Sequence, residues 1–205
     1  MWSVRVLNAQ GSGYGSWIMC GIDWVTANAG TIEVANMSLG GKTSYVDDGN
    51  CGFSNRDVMH QAVCESVQAG VTYVVAAGND GANAAGYFPA SYDEVVTVSA
   101  LVDTDGKAGG LGGSTSVGAD DTLASFSNYG PDVDVIAPGV SISSTSRTGG
   151  YATMSGTSMA SPHVAGAAAL HKAANPSASP SAIRSALIAS GNTNWNGDRD
   201  NTKEP

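Results

Sequence analysis

Residues 155–166 read Ser-Gly-Thr-Ser-Met-Ala-Ser-Pro-His-Val-Ala-Gly, and they carry the strongest structural signal in the chain. Gly156 allows another backbone to approach closely, and Thr157 or Ser158 begins a long Ala-rich helix that runs to Ala174. The free N–H groups and the dipole of a helix N-terminus favour negative charge beside Ser158. That placement suits a nucleophile whose attack creates an oxyanion, although a Gly-Thr-Ser taken alone is also an ordinary helix cap.

Strands and helices alternate along the chain before this helix. Continuous apolar runs predict strands buried on both faces of a sheet, and apolar residues at three- and four-residue steps predict helices. The predicted strands are 2–7, 32–39, 71–77, 95–101 and 133–137, and the predicted helices are 16–29, 56–69, 157–174 and 180–190. We therefore expect a single α/β domain over residues 1–205, with a mostly parallel sheet flanked by helices in three layers. The chain opens inside a strand and ends in a polar loop, so we expect this domain to be incomplete at both ends.

The second helix is expected to begin after a cap at Asn55 and to stop at Gly70. Its spacing predicts a buried Val58 and places His60 on the polar side. Residues 103–121, which are rich in Gly and Asp, are expected to form a surface hairpin or loop.

Composition excludes several classes of partner. The 205 residues carry 9 Lys+Arg against 18 Asp+Glu, a formal net charge of −9. Because the cations are scattered, nucleic acid and anionic membrane surfaces are poor partners. The Gly-rich loop at 11–16 has the context of a dinucleotide site, but Ser16 stands where the third glycine is required. We interpret it as a flexible loop at the carboxyl end of a strand.

Residues 155–166 resemble the nucleophile motif of the subtilisin-like serine proteases, the subtilases. The resemblance continues, in the family's order, over nearly the whole chain. It includes segments 3–7, 11–18, 36–41, 76–81, 125–130 and 136–139. It implies a subtilisin-like fold and a serine endopeptidase that acts on polypeptides and needs no cofactor for its chemistry.

The resemblance also implies roles for individual residues. Ser158 would be the nucleophile that forms an acyl-enzyme, and Asn79 would donate its side-chain amide to the oxyanion. Taken alone, the sequence Gly78–Gly81 is also a good turn, so Asn79 has a purely structural interpretation as well. The residues expected to bind the substrate are Ser38, Leu39, Gly40, Ala76, Ala77, Gly78 and Gly13.

A serine nucleophile needs a base, and the base needs an orienting carboxylate. The Asp-Ser/Thr-Gly and His-Gly-Thr motifs that carry these groups in subtilases do not occur in the chain. On its helix, His163 would lie about 140° around from Ser158, and His171 would lie about 20 Å along the axis. His60, on the polar side of another helix, is expected to be a surface or helix-packing residue.

Three hypotheses follow. The first is a fragment of an active protease whose Asp and His lie on the N-terminal part of its own domain, so that this part or a pro-segment is its partner. The second is a catalytically dead pseudo-protease that acts as a protein-binding module. The third is a different hydrolase, such as an esterase that recruits His60.

The three cysteines bear on the compartment. Cys51 lies in a loop and Cys64 on the following helix, which favours a disulfide over two free thiols. A disulfide predicts a secreted protein, although the chain contains no signal-peptide pattern. Cys20, among apolar helix positions, is expected in the core.

Calcium, as a structural ion, is the only metal for which the sequence suggests ligands. Oxygen ligands on loops are available from Asp93, Asp103, Asp105, Asp120 and Asp121. They show no fixed ligand spacing, so solvated loop acids are the alternative.

Overall fold

The computed structural model describes residues 1–205. In chain order its elements are α1 (Gly15–Ala27), β1 (Val34–Met37), β2 (Gly41–Lys42), α2 (Val58–Gln68), β3 (Thr72–Ala76), β4 (Tyr87–Phe88), β5 (Val96–Val102), β6 (Ser114–Thr115), β7 (Gly118–Ala119), β8 (Thr122–Leu123), β9 (Val135–Pro138), β10 (Ile142–Thr145), β11 (Tyr151–Met154), α3 (Thr157–Ala174) and α4 (Pro180–Ser190). None of the helices combines the length and the apolar character needed to cross a bilayer.

A mostly parallel sheet forms the centre of the fold. β1 pairs with β3, β3 with β5 and β5 with β9, all in parallel, while the short β8 runs antiparallel to the end of β5. β3 is buried along its whole length, as its continuous apolar run predicts. The hairpin of β6 and β7 falls in the region predicted to form a surface hairpin, whereas the hairpin of β10 and β11 was not predicted.

Alternate residues of β3 face two helical layers. Tyr73 and Val75 belong to a core shared with α1 and α2, whereas Val74 belongs to a core shared with α3 and α4. The prediction of a three-layer α/β fold is therefore confirmed. The same alternation places the start of α3 on one side of the sheet and α2 on the other.

The prediction of a strand at residues 2–7 is wrong. This segment is irregular, and its first residues are exposed. Val4 and Val6 lie against Gly21 of α1, so the segment packs on a helix without pairing with β1. A strand exists only where a neighbour accepts its backbone hydrogen bonds, and an apolar pattern cannot supply that neighbour.

α2 begins two residues later than predicted. Its cap is Asp57, whose carboxylate accepts hydrogen bonds from the backbone N–H groups of Met59 and His60. Asn55 instead accepts a bond from the Asp57 N–H, and Val58 is exposed, so both predictions were wrong. Gly70, at φ 107°, ends the helix as predicted.

His60 is fully buried, which overturns its expected place on the polar side of α2. Its ring stacks on Tyr92 at 4.2 Å between centroids, and its Nε2 lies 2.7 Å from the Glu94 carboxylate. Burial lowers the pKa of His60, but the bond to Glu94 and the charges of Glu94, Asp47 and Asp57 outweigh it and raise the pKa. The bond to His60 in turn lowers the pKa of Glu94. A charged partner from a distant segment therefore makes this polar residue a core residue.

Of the two predictions about the cysteines, one is confirmed and one is wrong. Cys51 and Cys64 form the predicted disulfide, with 5.6 Å between their Cα atoms. Cys20 is exposed, contrary to prediction. It lies two residues from both Ile18 and Ile22, about 200° around the helix from the buried face.

We expect the protection of α2 from hydrogen exchange to depend on pH through His60. Because the pKa of His60 is raised above 6.5, the stability that His60 contributes to α2 is fully present below pH 6.5. That stability is lost as the pH rises through the folded-state pKa. Glu94, with a pKa below 4.5, contributes above pH 4.5 and loses its contribution as the pH falls. The protection factors of α2 should therefore be higher in the wild type than in His60→Gln. This difference should be largest between pH 4.5 and 6.5 and should shrink towards pH 9.

Protection factors from hydrogen exchange of peptides covering residues 58–68 measure this difference. His171→Gln changes a histidine outside the cluster and is the matched control. An advantage of equal size at pH 6 and pH 9 would show that only the shape of the imidazole matters.

Candidate active site

Ser158 is the second residue of α3, at the carboxyl-end edge of the sheet. Its half-buried side chain places the Oγ 3.4 Å from the carbonyl oxygen of Ser38, which follows β1. The Ser158 N–H is one of the first four N–H groups of the helix, which have no intrahelical acceptor. The nucleophile candidate and a free N–H donor are therefore supplied by the same residue.

Asn79, three residues beyond the end of the buried strand β3, is oriented by the start of α3. Its Oδ1 accepts the Thr157 backbone N–H at 2.8 Å and the Thr157 hydroxyl at 3.0 Å. The Gly78 N–H donates back to the Thr157 hydroxyl at 3.2 Å. With its oxygen bound in this way, the side chain turns its NH₂ group away from Thr157, where it is free to donate.

Ser38 connects the end of β1 to the first turn of α3. Its Oγ donates to the Ser158 carbonyl oxygen at 2.9 Å and lies 3.0 Å from the Ser161 Oγ. It also accepts the Asn36 side-chain amide at 2.9 Å. The position of Ser158 is therefore set both by its own helix and by the strand end that faces it.

Asn128 is an organising residue to which the sequence analysis assigned no role, although it lies in the segment 125–130 that resembles the family. It is fully buried, and its Nδ2 donates to the Ala77 carbonyl at 2.8 Å. Its Oδ1 accepts the N–H groups of Asp80 at 3.0 Å and Ala82 at 3.1 Å. One side chain thus shapes the segment that presents Asn79, and these contacts with residues about fifty positions earlier in the chain become visible only in the fold.

The residues expected to bind the substrate differ in how far they are buried. Gly40 lies against the Phe88 carbonyl, where a side chain would collide, and Leu39 is half-buried behind it. Ala76 and Ala77 are buried, and both backbone groups of Ala77 are bound within the protein. Ala76 and Ala77 therefore lie behind the protein surface, and Gly78 is the part of this segment that is accessible.

Gly13 lies apart from these segments. Its Cα packs closely against Val6 and Leu7 in the loop that precedes α1. Its role in substrate binding stays a prediction.

A charged cluster lies between the Gly40 and Gly78 segments. The Lys42 Nζ is 3.3 Å from the Asp80 carboxylate, to which the Tyr87 hydroxyl donates at 2.6 Å. The bond from Tyr87, followed by the bond and charge of Lys42, lowers the pKa of Asp80. Asp80 in turn raises the pKa values of Lys42 and Tyr87.

No histidine of the chain is placed to act as a base for Ser158. His163 Nδ1 is 2.8 Å from the carbonyl oxygen of Met159, and His171 lies in the last turn of α3. His60 lies in the layer of α2, on the other side of the sheet, with its Nε2 bound to Glu94. The hypothesis of an esterase that recruits His60 is therefore wrong.

The loop carboxylates only partly come together. Ligand oxygens of Asp103, Asp105 and Asp120 lie within 4.8 Å of one another, while Asp93 and Asp121 lie outside this group. Asp120 already accepts the backbone N–H groups of Thr104 at 2.7 Å and Gly112 at 2.8 Å. The group offers the hard oxygens that calcium prefers, yet the same oxygens close turns of the loop, so a calcium site stays a prediction.

The chain is similar to known proteins over nearly its whole length. A family model described as the subtilase family matches residues 1–203. The chain is 43% identical over 190 residues to alkaline serine exoprotease A of Vibrio alginolyticus, covering 93% of this chain and 30% of that protein. It is 44% identical over 187 residues to an extracellular serine proteinase of Thermus sp. strain Rt41A, covering 90% of this chain and 39% of that protein.

A solved structure shares the fold. A cold adapted subtilisin-like serine proteinase matches with a TM-score of 0.75 at 38% identity, over 98% of this chain and 63% of that one. The chain therefore spans less than two thirds of the length of each of these proteins.

Removing the Asn128 side chain should loosen the segment that holds Asn79. Asn128→Ala leaves the Ala77 carbonyl and the N–H groups of Asp80 and Ala82 without their partner. Because an unsatisfied buried group costs about 1–3 kcal/mol, we expect the free energy of unfolding to fall by about 3 kcal/mol. Urea unfolding measures the loss, and Asn192→Ala, which alters an exposed loop asparagine, is the control. A loss no larger than that of the control would contradict this role of Asn128.

Proposed function

Since the chain belongs to the subtilase family, we propose that it is the nucleophile-bearing part of a serine endopeptidase that cleaves polypeptides through an acyl-enzyme at Ser158. The observation that carries this proposal is the bond between Asn79 and the first N–H of α3. It orients the Asn79 side chain against the helix turn that carries Ser158, which supports Asn79 as a second amide donor beside the Ser158 N–H. Two donors beside a nucleophile are what acyl transfer requires.

In the proposed reaction the Ser158 Oγ attacks the scissile carbonyl carbon while a base takes its proton, and the carbonyl oxygen becomes an oxyanion. The Ser158 N–H and the Asn79 Nδ2 would donate to that oxyanion, and the N-terminus of α3 adds a favourable potential. Collapse of this intermediate expels the amine, which leaves with the proton. Water then hydrolyses the ester by the same steps.

The base and its carboxylate are proposed to come from an N-terminal part of the same domain that is not within residues 1–205. Two features of the structure support this. β1 pairs with β3 alone, so its other edge presents unpaired backbone groups. A groove of about 740 Å³ runs beside that edge, between β1, α1 and α3, lined mostly by apolar residues such as Val6, Ile22 and Met37. Such a groove fits a further strand that is apolar on both faces.

The substrate is proposed to lie extended along Ser38–Gly40 and to pair through its backbone, a mode that is largely indifferent to side chains. The pocket beside the scissile bond would have Gly40 on one side and the Ala76–Gly78 segment on the other. Because these walls are backbone and small apolar groups, the pocket should take large apolar or aromatic residues such as Leu, Phe and Tyr.

We propose that the protein is secreted. The disulfide between Cys51 and Cys64 supports this, because such bonds persist in oxidising compartments. A relative at 44% identity is named extracellular. No cofactor is required for the proposed chemistry, and calcium would serve only as a structural ion.

Activity tests the proposal directly. Residues 1–205 alone should hydrolyse peptides at no more than a trace rate, because the members of a catalytic triad act as a unit. The extended chain, meaning these residues preceded by the upstream part of their own reading frame, should be active, and Ser158→Ala should abolish that activity. Asn79→Ala should lower kcat by about 10²–10³-fold with little change in KM, a magnitude taken over from the corresponding Asn of a subtilisin.

Two outcomes would contradict the proposal. Robust Ser158-dependent cleavage by residues 1–205 alone would place the base inside them. An extended chain that binds peptides without cleaving them would instead establish a pseudo-protease.

The groove is tested by the state of the protein in solution. Residues 1–205 alone should bind an apolar dye and self-associate, whereas the extended chain should be a monomer, because its added strand covers the groove. In the extended chain, Ala169→Arg, in the groove, should restore dye binding. Ala174→Arg, exposed on the same helix outside the groove, should not. A sharp cooperative melt of monomeric residues 1–205 without dye binding would rule out this use of the groove.

A further inference from the structure

Lys42, Asp80 and Tyr87 form a small cluster, here called the rim cluster, whose geometry is set by backbone pairing. β2 and β4 are antiparallel, with Lys42 directly opposite Tyr87. The Lys42 Nζ and the Tyr87 hydroxyl approach the same carboxylate oxygen of Asp80, at 3.3 Å and 2.6 Å. The Lys42 Nζ also lies 5.9 Å from the centre of the Tyr87 ring.

The rim cluster joins the two walls of the proposed pocket. Lys42 follows Gly40 by two residues, and Asp80 follows Asn79 directly. A side chain at Gly78 would collide with the Asn128 amide and would begin 3.5 Å from the Tyr87 ring, so this ring packs against the Gly78 wall. Because Lys42 and Asp80 continue the two walls and meet in an ion pair, a substrate side chain in the proposed pocket would have this pair at its rim.

The net charge of the rim cluster decides which substrate side chains the proposed pocket favours. An unpaired Asp80 carboxylate would attract a Lys or Arg side chain of the substrate. In the structure one carboxylate oxygen of Asp80, Oδ2, already accepts the Tyr87 hydroxyl and the Lys42 ammonium, and the charge of Lys42 offsets that of Asp80.

We propose that Lys42 is a specificity-determining residue that disfavours basic residues before the scissile bond by holding Asp80 in an internal ion pair. This inference rests on the proposed function, because it concerns the pocket of the same site. Lys42 acts through Asp80 and not on the reacting atoms.

The exposure of the pair sets the size of the effect. The side chains of Lys42 and Asp80 are 75% and 49% exposed. Exposed ion pairs are weak and are screened by salt. The discrimination that Lys42 contributes is therefore about two- to fivefold, and it should shrink at high ionic strength.

The experiment uses the extended chain as the enzyme. It compares two peptide substrates that are identical except for Lys or Leu before the scissile bond. Lys42→Met removes the charge and keeps an apolar stem near the Tyr87 ring. The ratio of kcat/KM for the Lys peptide to that for the Leu peptide should rise about two- to fivefold, through a lower KM for the Lys peptide. Lys42→Arg should keep the wild-type ratio, and in an Asp80→Asn background Lys42→Met should have no effect.

The same ratio is measured without turnover by the affinities of product-like peptides ending in Lys or Leu for the Ser158→Ala form. Hydrolysis by the wild type tests the proposed function, and the change of the ratio tests the role of Lys42, so the two can fail separately. A ratio that Lys42→Met leaves unchanged in both measurements, or that rises equally in the Asp80→Asn background, would overturn the inference.

Discussion

The start of α3 is held by a hydrogen bond from its first backbone N–H to the side chain of Asn79. This bond joins a helix N-terminus to the end of a buried strand that lies some eighty residues earlier in the chain. Since the first N–H groups of a helix have no partner in their own helix, the contact satisfies a group that would otherwise need water. It fixes the amide of Asn79 against the helix turn that carries Ser158, so the proposed site depends on it.

Buried and half-buried polar side chains extend this organisation on both sides of the sheet. Asn128 binds three backbone groups of the segment that carries Asn79, and Ser38 ties the end of β1 to Ser158. On the other side of the sheet, His60 joins α2 to Glu94. A buried polar group is costly unless its partners are in place, so each of these residues favours one arrangement of the loops around it.

The sheet combines a closed interior with one open edge. β3 and β5 are flanked on both sides by parallel strands, while β1 has a neighbour on one side only. The apolar groove beside β1 is bounded by α1, α3 and the segment before α1. Unpaired backbone groups together with an apolar groove make a surface that favours a further strand, and this supports the proposal that a segment outside residues 1–205 completes the domain. The proposed pocket, by contrast, is assembled entirely from segments within the chain.

The sequence by itself determined the features that local chemistry controls. The continuous apolar run of β3, the Ser179 cap and Pro180 at the start of α4, and the extent of α3 all follow from residues close together in the chain. The motif at 155–166 and its companions indicated the family in the same way. Tertiary structure alone decided that residues 2–7 form no strand, that Cys20 is exposed and that His60 is buried. It also placed Asn128 beneath Asn79 and Lys42 beside Asp80. Strand pairing, burial of a charged group and polar contacts all require partners from distant segments, and only the folded chain brings those partners within reach.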